Sequence, residues 1–594
     1  MKRKAFVLVE LLAVIVILAI ILAIAVPAIS NILFKSKRNT FESSVRTIIK
    51  TVDTKRSAEN NYDITKINVD NLNSEMGIDN TNYESVEANL IAKEIYIKII
   101  GKNKWEGLGA YGTKNNLTIS SVVNDSFSTD ESCFSFDEDT GAITGYDYEE
   151  PSCPSDVIIP SFIENKVVKS IGESAFAFSD LTSVMIPDTV THIGEDAFYY
   201  NDLTTLELPN SIVSIGEGAF SSNLLQSIVI PSTITSISKN VFSYNQLTNV
   251  TIPSNINYIG EGAFEGNQLT GVDIPNTVTF IGGGAFTDNL FPEEDPFVYG
   301  RNPDGSIDFT NLVSYASTAT EVVIPDGVKT IASGAFEYIP LSSVVIPNTV
   351  TTIGDYAFYY TEITNINLPS NVTLIGEYAF SDNYISEILI PGSVKVIKNC
   401  AFYNSGLSSV TILNGVEKIE ESAFESNNIA SLTLPNSINS LGNRVFNDNM
   451  LPDEQAFIYA RNLDGSIDNK TIISYGGAKK SDVTIPSSVI IIGEDAFNYT
   501  NLTSVILSNS VKVIGKRAFS NNNLKSLTIP SSVTTIEESA FAWNRLTSIT
   551  MMNLGTFLGE NVLYYNNNNF REAYILGGAG KYTGTQSGTW SKQS

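Results

Sequence analysis

Histidine is almost absent from this chain. His192 is the sole histidine among 594 residues, although histidine is the side chain best suited to proton transfer at neutral pH and the commonest transition-metal ligand. A hydrolase or zinc enzyme of this length rarely manages with one, and no nucleophile–base set or phosphate-binding loop occurs in the sequence. We therefore expect no enzymatic activity, no cofactor and no metal site.

Cysteines and basic residues are also scarce. The three cysteines, Cys133, Cys153 and Cys400, are too few for a disulfide scaffold or a four-thiolate metal site. Lysine and arginine number 37 against 64 aspartates and glutamates, which gives a formal net charge of −27. Because nucleic acids and anionic lipids are polyanions, they are repelled by such a chain. We expect no nucleic-acid binding by its bulk, and a surface exposed to the medium.

One long apolar segment is present, at the N-terminus. A basic stretch at 2–4 precedes an apolar run at 5–29 that is interrupted by Glu10 and Pro27. About 20 apolar residues span a bilayer as a helix, and the basic flank favours the cytoplasmic side. A secretory signal cut after a residue such as Ala25 or Ala28, or a plain transmembrane anchor, would also be apolar. Neither alternative explains the carboxylate of Glu10, which is costly inside a membrane.

This N-terminal segment resembles the type IV pilins. In that family a short basic leader is cut before a phenylalanine, a glutamate occupies the fifth mature position, and a proline commonly occupies the twenty-second. Cleavage between Ala5 and Phe6 places Glu10 and Pro27 at those positions, although Ala5 replaces the usual glycine. The resemblance implies a prepilin peptidase, N-methylation of Phe6, a helix kinked at Pro27, and neutralisation by Glu10 of the N-terminus of a neighbouring pilin-like subunit.

The segment that follows predicts a small α+β region. Apolar residues in 35–60 have helical spacing; they are Phe41, Val45, Ile48, Ile49 and Val52. Strands of one small sheet are expected at 94–101 and near 133–146, where Asp139-Thr-Gly141 favours a hairpin turn. Cys133 and Cys153 bracket that hairpin, and the resemblance to pilins implies a disulfide between them, which would add about 3 kcal/mol. Two unpaired thiols are the alternative.

A 22-residue repeat occupies most of the remaining chain. Its marker is Ala-Phe or Val-Phe, with the phenylalanines at Phe176, Phe198, Phe220, Phe242, Phe264, Phe286, Phe336, Phe358, Phe380, Phe402, Phe424, Phe446, Phe497, Phe519 and Phe541. Steps of 50 and 51 residues separate the three runs, and Leu563 takes the next position. Burial of a phenylalanine contributes about 1.5–3 kcal/mol, which no single coil can achieve alone. Stacked coils with a shared phenylalanine column are therefore predicted.

The interior of the repeat resembles a known family. Residues 181–202 read LTSVMIPDTVTHIGEDAFYYND; Pro187 ends a first short strand, 190–193 form a second, and Gly194 allows a turn. The pattern I-P-x-x-V-x-x-I-G-x-x-A-F resembles the BspA-like leucine-rich repeats. That resemblance implies a mainly β, right-handed solenoid of about 16 coils of 22 residues that binds host or bacterial surface proteins.

Other side chains recur at fixed places in the repeat. Asparagine lies three residues after the phenylalanine and predicts a structural ladder, at 201, 223, 245, 267, 289, 383, 427, 449, 522 and 544. Small polar residues predict a flat outward strand face, at Ser183, Thr205, Ser227, Asn249, Thr251, Ser343, Ser409, Thr411, Ser431, Thr433, Thr484, Ser526, Thr528, Ser548 and Thr550. Aromatic residues that are either interface anchors or stacked stiffeners of an edge are Phe178, Tyr200, Tyr244, Tyr338, Tyr360, Tyr499 and Trp543.

Two duplicated insertions, 288–316 and 448–476, interrupt the array. Both contain Asp-Gly-Ser-Ile-Asp, at 304–308 and 464–468, and their alternating pattern predicts a hairpin that turns at Asp-Gly. The nearby carboxylates permit a calcium site, but their spacing matches no EF-hand loop, so the structural hairpin is favoured. As lateral projections, the hairpins are natural places for partner contact.

Together these patterns predict an elongated surface protein. The expected domains are a leader at 1–5, a transmembrane helix at 6–34, a pilin-like α+β region at 35–150, a solenoid at 151–565 and a C-terminal cap at 566–594. We expect a single-pass membrane protein with its bulk extracellular, a minor-pilin-like subunit that presents the solenoid to an unidentified protein ligand. An assembly component of a pilus or pseudopilus, for secretion or DNA uptake, is the alternative.

Overall fold

The protein is described from a computed structural model. It describes residues 37–57, 67–68, 70, 72–91, 94–102, 105, 108–112, 117–121, 129–164, 166–478, 481–563, 569–584 and 589–593. The chain divides into two compact units, up to residue 235 and from residue 236. The predicted leader and transmembrane helix, with Ala5, Phe6, Glu10 and Pro27, lie outside the described residues. Within them, no helix combines the length and the apolar character needed to cross a membrane.

The first unit begins with a helix on a small antiparallel sheet. Residues 37–57 are helical, and the five apolar residues predicted to share one face are buried. They pack against Tyr83, Val86, Ile99 and Trp105, so this face makes a core with the sheet. The sheet contains, in order, the strands Tyr83–Ile91, Glu94–Gly101, Leu108–Gly112 and Leu117–Ser121, and the short helix Leu72–Met76 precedes them.

The hairpin formed by Phe134–Asp137 and Ala142–Tyr146 belongs to the solenoid and not to that sheet. Its second strand pairs in parallel with Ser170–Ile171 and so begins the sheet of the first coils. The rings of Phe134 and Tyr146 lie 6.2 and 5.3 Å from the ring of Phe176. The expectation of one small sheet is therefore wrong, because the exposed end of the phenylalanine column requires an apolar cover that this hairpin supplies.

The repeats stack into a mainly β solenoid, as predicted, with two short strands in most coils. Proline ends the first strand, and its carbonyl accepts the N–H three residues on, as in Pro187 and Val190 at 3.0 Å. In the first unit the strands are Asp156–Ile158, Ser183–Met185 and Ser227–Val229, then Ser170–Ile171, His192–Ile193 and Ser214–Ile215, with a small hairpin of Phe162–Ile163 and Lys166–Val167. Neighbouring coils pair in parallel and in register.

The second unit continues the same two kinds of strand. The first kind comprises Asn249–Thr251, Glu321–Val323, Ser343–Val345, Glu387–Ile390, Ser409–Ile412, Leu432–Thr433, Asp482–Thr484, Ser504–Ile506, Ser526–Ile529 and Ser548–Met551. The second comprises Ser236–Ile237, Tyr258–Ile259, Phe280–Ile281, Thr330–Ile331, Thr352–Ile353, Leu374–Ile375, Val396–Ile397, Lys418–Ile419, Ser440–Leu441, Ile491–Ile492, Val513–Ile514, Thr535–Ile536 and Phe557–Leu558. Within each unit, the column phenylalanines are buried and stack on one another; Phe402 and Phe424, for example, have ring centroids 5.2 Å apart.

Each insertion is a hairpin that also completes a coil. The strands are Phe297–Arg301 with Ile307–Tyr315, and Phe457–Arg461 with Ile467–Tyr475. Tyr315 stacks on Phe336 at 5.2 Å, and Tyr475 stacks on Phe497 at 5.0 Å. A tyrosine from each insertion therefore occupies the phenylalanine position and stacks on the first phenylalanine of the run that follows.

The hairpin tips lie against the array instead of projecting from it. Gly305 sits so close to Asn276 that a Cβ would overlap the Asn276 carbonyl group, and Gly465 has the same relation to Asn436. The C-terminal segment adds strands to the sheet of the last coils. After the helix Asn569–Gly577, strand Gly580–Thr583 pairs with Ser548–Met551, strand Ser591–Lys592 follows it, and the buried side chains are Phe570, Tyr574, Tyr582 and Trp590.

Candidate functional site

The asparagine ladder is fully occupied by structural hydrogen bonds. The side-chain nitrogen of Asn383 donates to the carbonyl oxygens of Phe358, at 2.8 Å, and Phe380, at 3.1 Å. Its oxygen accepts from the backbone N–H of Ile363, at 3.0 Å, and from the hydroxyl of Thr361, at 2.8 Å. Because Asn383 is buried and these bonds join neighbouring coils, the ladder closes the turns and leaves no group for a ligand.

The other polar candidates are also structural. Cys133 and Cys153 form a disulfide. Asp304 accepts hydrogen bonds from the backbone and hydroxyl of Ser306, which lowers the pKa of its carboxyl group. The described part of the chain contains no group of three or more His, Cys, Asp or Glu side chains that could hold a metal ion.

One edge of the coils is built from residues with left-handed backbone. The residues two before and two after each column phenylalanine have φ near +50 to +70° throughout the described coils, as in Tyr356 (56°) and Tyr360 (54°). This conformation is costly for residues other than glycine. It persists because the N–H groups of these residues bond to the next coil; Tyr356, for example, donates to Glu377 at 2.7 Å. The side chains at these two positions can therefore vary while the backbone stays fixed.

Five tyrosines on this edge contact one another in three neighbouring coils. We name Tyr338, Tyr356, Tyr359, Tyr360 and Tyr378 the tyrosine edge cluster. Ring centroids are 5.1 Å apart for Tyr356 and Tyr378, 5.5 Å for Tyr338 and Tyr359, and 5.7 Å for Tyr356 and Tyr359. Tyr338 and Tyr360 are nevertheless 46% and 56% exposed. In this cluster the aromatic residues therefore meet both descriptions. Their rings contact one another, as stiffeners of an edge would, and two of them remain exposed, as interface anchors would.

Carboxylates surround the tyrosine edge cluster. Glu337, Asp355, Glu377 and Asp382 lie close enough to act electrostatically on its rings. Burial, and next the charge of Glu337, raises the pKa of Tyr338 to about 12. The Tyr338 phenol is therefore neutral at physiological pH, and the cluster lies beside several carboxyl groups.

The strand face is more apolar than the sequence pattern predicted. Val323 and Val345 are paired neighbours in adjacent coils and are 68% and 57% exposed. Val229, Leu389 and Ile506 occupy the same strand position in other coils and are exposed as well. The signal lies two residues before the repeat proline position, where some coils have these aliphatic residues and others have threonine.

The sequence matches the family model of the BspA-type leucine-rich repeat region over residues 169–291, 312–424 and 473–577, more than half of the chain. No curated protein matches it.

Several solved structures are similar to parts of the chain. A leucine-rich cell surface protein from Faecalibacterium prausnitzii is 26% identical, with 52% of this chain and 87% of that one covered and a TM-score of 0.33. A leucine-rich repeat protein from Eubacterium ventriosum is 20% identical over 74% and 93% of the two chains, with a TM-score of 0.30. The pneumococcal vaccine antigen PcpA is 18% identical over 62% and 93%, with a TM-score of 0.33.

Proposed function

Because the chain belongs to the BspA-type leucine-rich repeat family, we propose that it is a non-enzymatic binding protein displayed at the cell surface. Its solenoid is the binding part, and its N-terminal segment is the anchor. The coils are held by buried asparagines and stacked phenylalanines, so they present surface side chains on a fixed backbone. Such pre-organisation reduces the entropy lost when a partner binds.

The tyrosine edge cluster is the observation that carries this proposal. Exposed aromatic side chains are the commonest anchors of protein interfaces, because they bury a large area at a low cost in side-chain entropy. A repeat protein with a purely structural role has no need of Tyr338 and Tyr360 at exposed, left-handed positions where other coils have asparagine or serine.

Display outside the cytoplasm is supported by three features of the chain. The disulfide between Cys133 and Cys153 suits an oxidising compartment, and the net charge of −27 suits a solvated exterior. The pilin-like order of Ala5, Phe6, Glu10 and Pro27 supports processing by a prepilin peptidase. On this proposal, the N-terminal helix inserts in the membrane or packs with other pilin-like subunits.

Deletion of residues 151–565 in the source organism separates binding from assembly. We expect the deletion strain to keep its filaments and to lose attachment to the surfaces that the unmodified strain binds. Loss of the filaments themselves would contradict the proposal and support the assembly role. A second, shorter deletion should retain the first coil and its disulfide. This deletion controls for misfolding of the part of the chain that remains.

Sequencing of the mature N-terminus tests the anchor. A chain that begins at N-methylated Phe6 is expected. A mature chain that begins after Ala25 or Ala28 would instead identify a cleaved secretory signal and exclude the pilin-like role, while the binding role of the solenoid would stand.

A further inference from the structure

We propose that the tyrosine edge cluster and its flanking carboxylates bind a positively charged segment of a partner polypeptide, with lysine or arginine side chains on the tyrosine rings. This inference rests on the proposed binding function and names the class of its partner. Its basis is the coincidence, on one edge of three coils, of five contacting tyrosines with an excess of negative charge.

The charge around the cluster is only partly neutralised. Asp355 is paired with Lys398 at 3.0 Å. Asp382 accepts neutral hydrogen bonds from Ser381, at 2.7 Å, and Asn404, at 2.6 Å, which leave its charge in place. The charge of Glu377 also raises the pKa of Tyr356, after the larger effect of burial. Glu337 adds less charge, because burial raises its own pKa to about 7 and it is only partly ionised at neutral pH. A cation that docks here therefore meets more negative charge than the cluster neutralises by itself.

The ring geometry suits side chains better than a flat ligand. Tyr356 meets Tyr359 at an interplanar angle of 84°, and Tyr338 meets Tyr359 at 77°. Such nearly perpendicular rings form shallow clefts between their faces, whereas Tyr356 and Tyr378 are stacked at an interplanar angle of 11°. A guanidinium or ammonium group fits against a tyrosine face and is attracted by its quadrupole. Acidic polymers are disfavoured by the surrounding carboxylates.

The cluster is pre-organised by its backbone. Tyr338, Tyr356, Tyr360 and Tyr378 all have left-handed φ, between 51° and 60°. The N–H of Tyr338 donates to Tyr359 at 3.0 Å, and that of Tyr360 donates to Ser381 at 3.1 Å. A partner therefore does not have to order a loop before it binds, which favours affinity from few contacts.

The test uses the full chain and a short arginine-rich peptide with a fluorescent label. The double variant Tyr338→Asn with Tyr360→Asn changes no charge and places a residue that the array already has at this left-handed position, as in Asn404 and Asn521. Because each lost ring contact weakens binding, the peptide affinity should fall about fivefold or more. Tyr499→Asn is the matched control, since it makes the same change at the same position outside the cluster, and its affinity should equal that of the unmodified chain.

Charge is tested separately. Glu377→Gln should weaken binding and flatten its dependence on salt, whereas Glu387→Gln, an exposed carboxylate on the strand face, should leave both unchanged. An equal loss in each member of either pair would show attraction to the overall charge of −27 and would overturn the proposal.

A neutral polysaccharide is the third probe. If the double tyrosine variant loses polysaccharide binding but keeps its affinity for the peptide, the cluster is a sugar site and the proposal is wrong. Attachment of cells that express the double variant distinguishes failure of the proposed cationic partner from failure of the proposed binding function. Lost attachment with unchanged peptide affinity would overturn the cationic partner and leave the proposed binding function in place. Unchanged attachment would remove the cluster as the site, and with it the observation on which the proposed function rests.

Discussion

Asn427 and Phe402 belong to neighbouring coils and are joined by a hydrogen bond of 2.8 Å from the side-chain nitrogen of Asn427 to the carbonyl oxygen of Phe402. The side-chain oxygen of Asn427 accepts the backbone N–H groups of Ser405, at 3.1 Å, and Leu407, at 2.9 Å. All these groups are buried. One side chain thus satisfies backbone atoms on both sides of a coil boundary, where water does not reach.

The variant Asn427→Ala should lower the free energy of unfolding by about 1–3 kcal/mol, because buried backbone groups lose their partners. Denaturant unfolding, followed by circular dichroism, measures this change. Asn428→Ala is the control, since Asn428 is adjacent in sequence and exposed, and should be close to neutral. Equal effects of the two variants would mean that the ladder adds nothing to stability.

The aromatic column predicts a larger effect. Phe358→Ala should cost about 3–5 kcal/mol, because it leaves a cavity between two stacked rings. Tyr315→Ala should fall in the same range if Tyr315 is a true member of the column. Tyr384→Ala, at a side chain that is 66% exposed, serves as the control. A nearly neutral Tyr315→Ala would place the first hairpin outside the cooperative core.

The hairpin tip makes a prediction at one glycine. Gly305 has a φ of +82°, and a Cβ there would overlap the Asn276 carbonyl group. Gly305→Ala should therefore destabilise more than Gly327→Ala, whose φ is +102° but whose Cβ would meet nothing within 4 Å. Both variants carry the cost of left-handed backbone, about 1–3 kcal/mol, so the difference in melting temperature isolates the contact. The hairpin would be free of the array if the two melting temperatures agreed.

Stability should depend on pH through two glutamates. Burial, and next the charge of Glu337, raises the pKa of Glu265 to about 8, and burial raises the pKa of Glu337 to about 7. Glu265 also accepts a hydrogen bond from Tyr244 at 2.9 Å. Since both carboxyl groups bind protons more tightly in the folded chain, their contribution is fully present below the ordinary value of 4.5 and is lost as the pH rises through about 7 to 8.

The melting temperature should accordingly fall between pH about 5 and pH about 8. The same fall should be smaller in Glu265→Gln, which stays neutral throughout. Glu387→Gln removes an exposed carboxylate and should retain the full dependence. Identical pH profiles for all three proteins would show that Glu265 is ionised in the folded state across this range.

Much of the fold can be predicted from the sequence because the same residue types recur at fixed positions in each repeat. The phenylalanines recur every 22 residues, which places them in one column, and asparagine at a constant offset from them predicts the ladder that Asn383 exemplifies. Asp-Gly at 304–305 predicts the hairpin turn from local backbone preference alone. Each of these predictions uses either a short stretch of sequence or the repeat period, so the structure of one coil predicts that of the next.

The features that the sequence does not predict depend on contacts between residues outside the repeat pattern. Tyr315 lies 21 residues before Phe336, but it stacks on Phe336 only because the hairpin completes a coil, which the repeat spacing does not encode. The packing of Gly305 on Asn276 is likewise a meeting of distant backbone segments. In the candidate site, the tyrosines were recognised as a set at one position, whereas Tyr356 and Tyr378 come from a second left-handed position that the pattern did not connect with the first.

The second hairpin repeats the first at a fixed distance along the chain, since Asp304 and Asp464 are 160 residues apart. The same turn, the same glycine contact and the same column tyrosine recur in both. If a partner binds one hairpin, then a partner with two copies of the same epitope would engage both, and its second attachment would be governed by effective concentration and not by bulk concentration. Duplication in this array is thus a route to avidity that requires no change in any single contact.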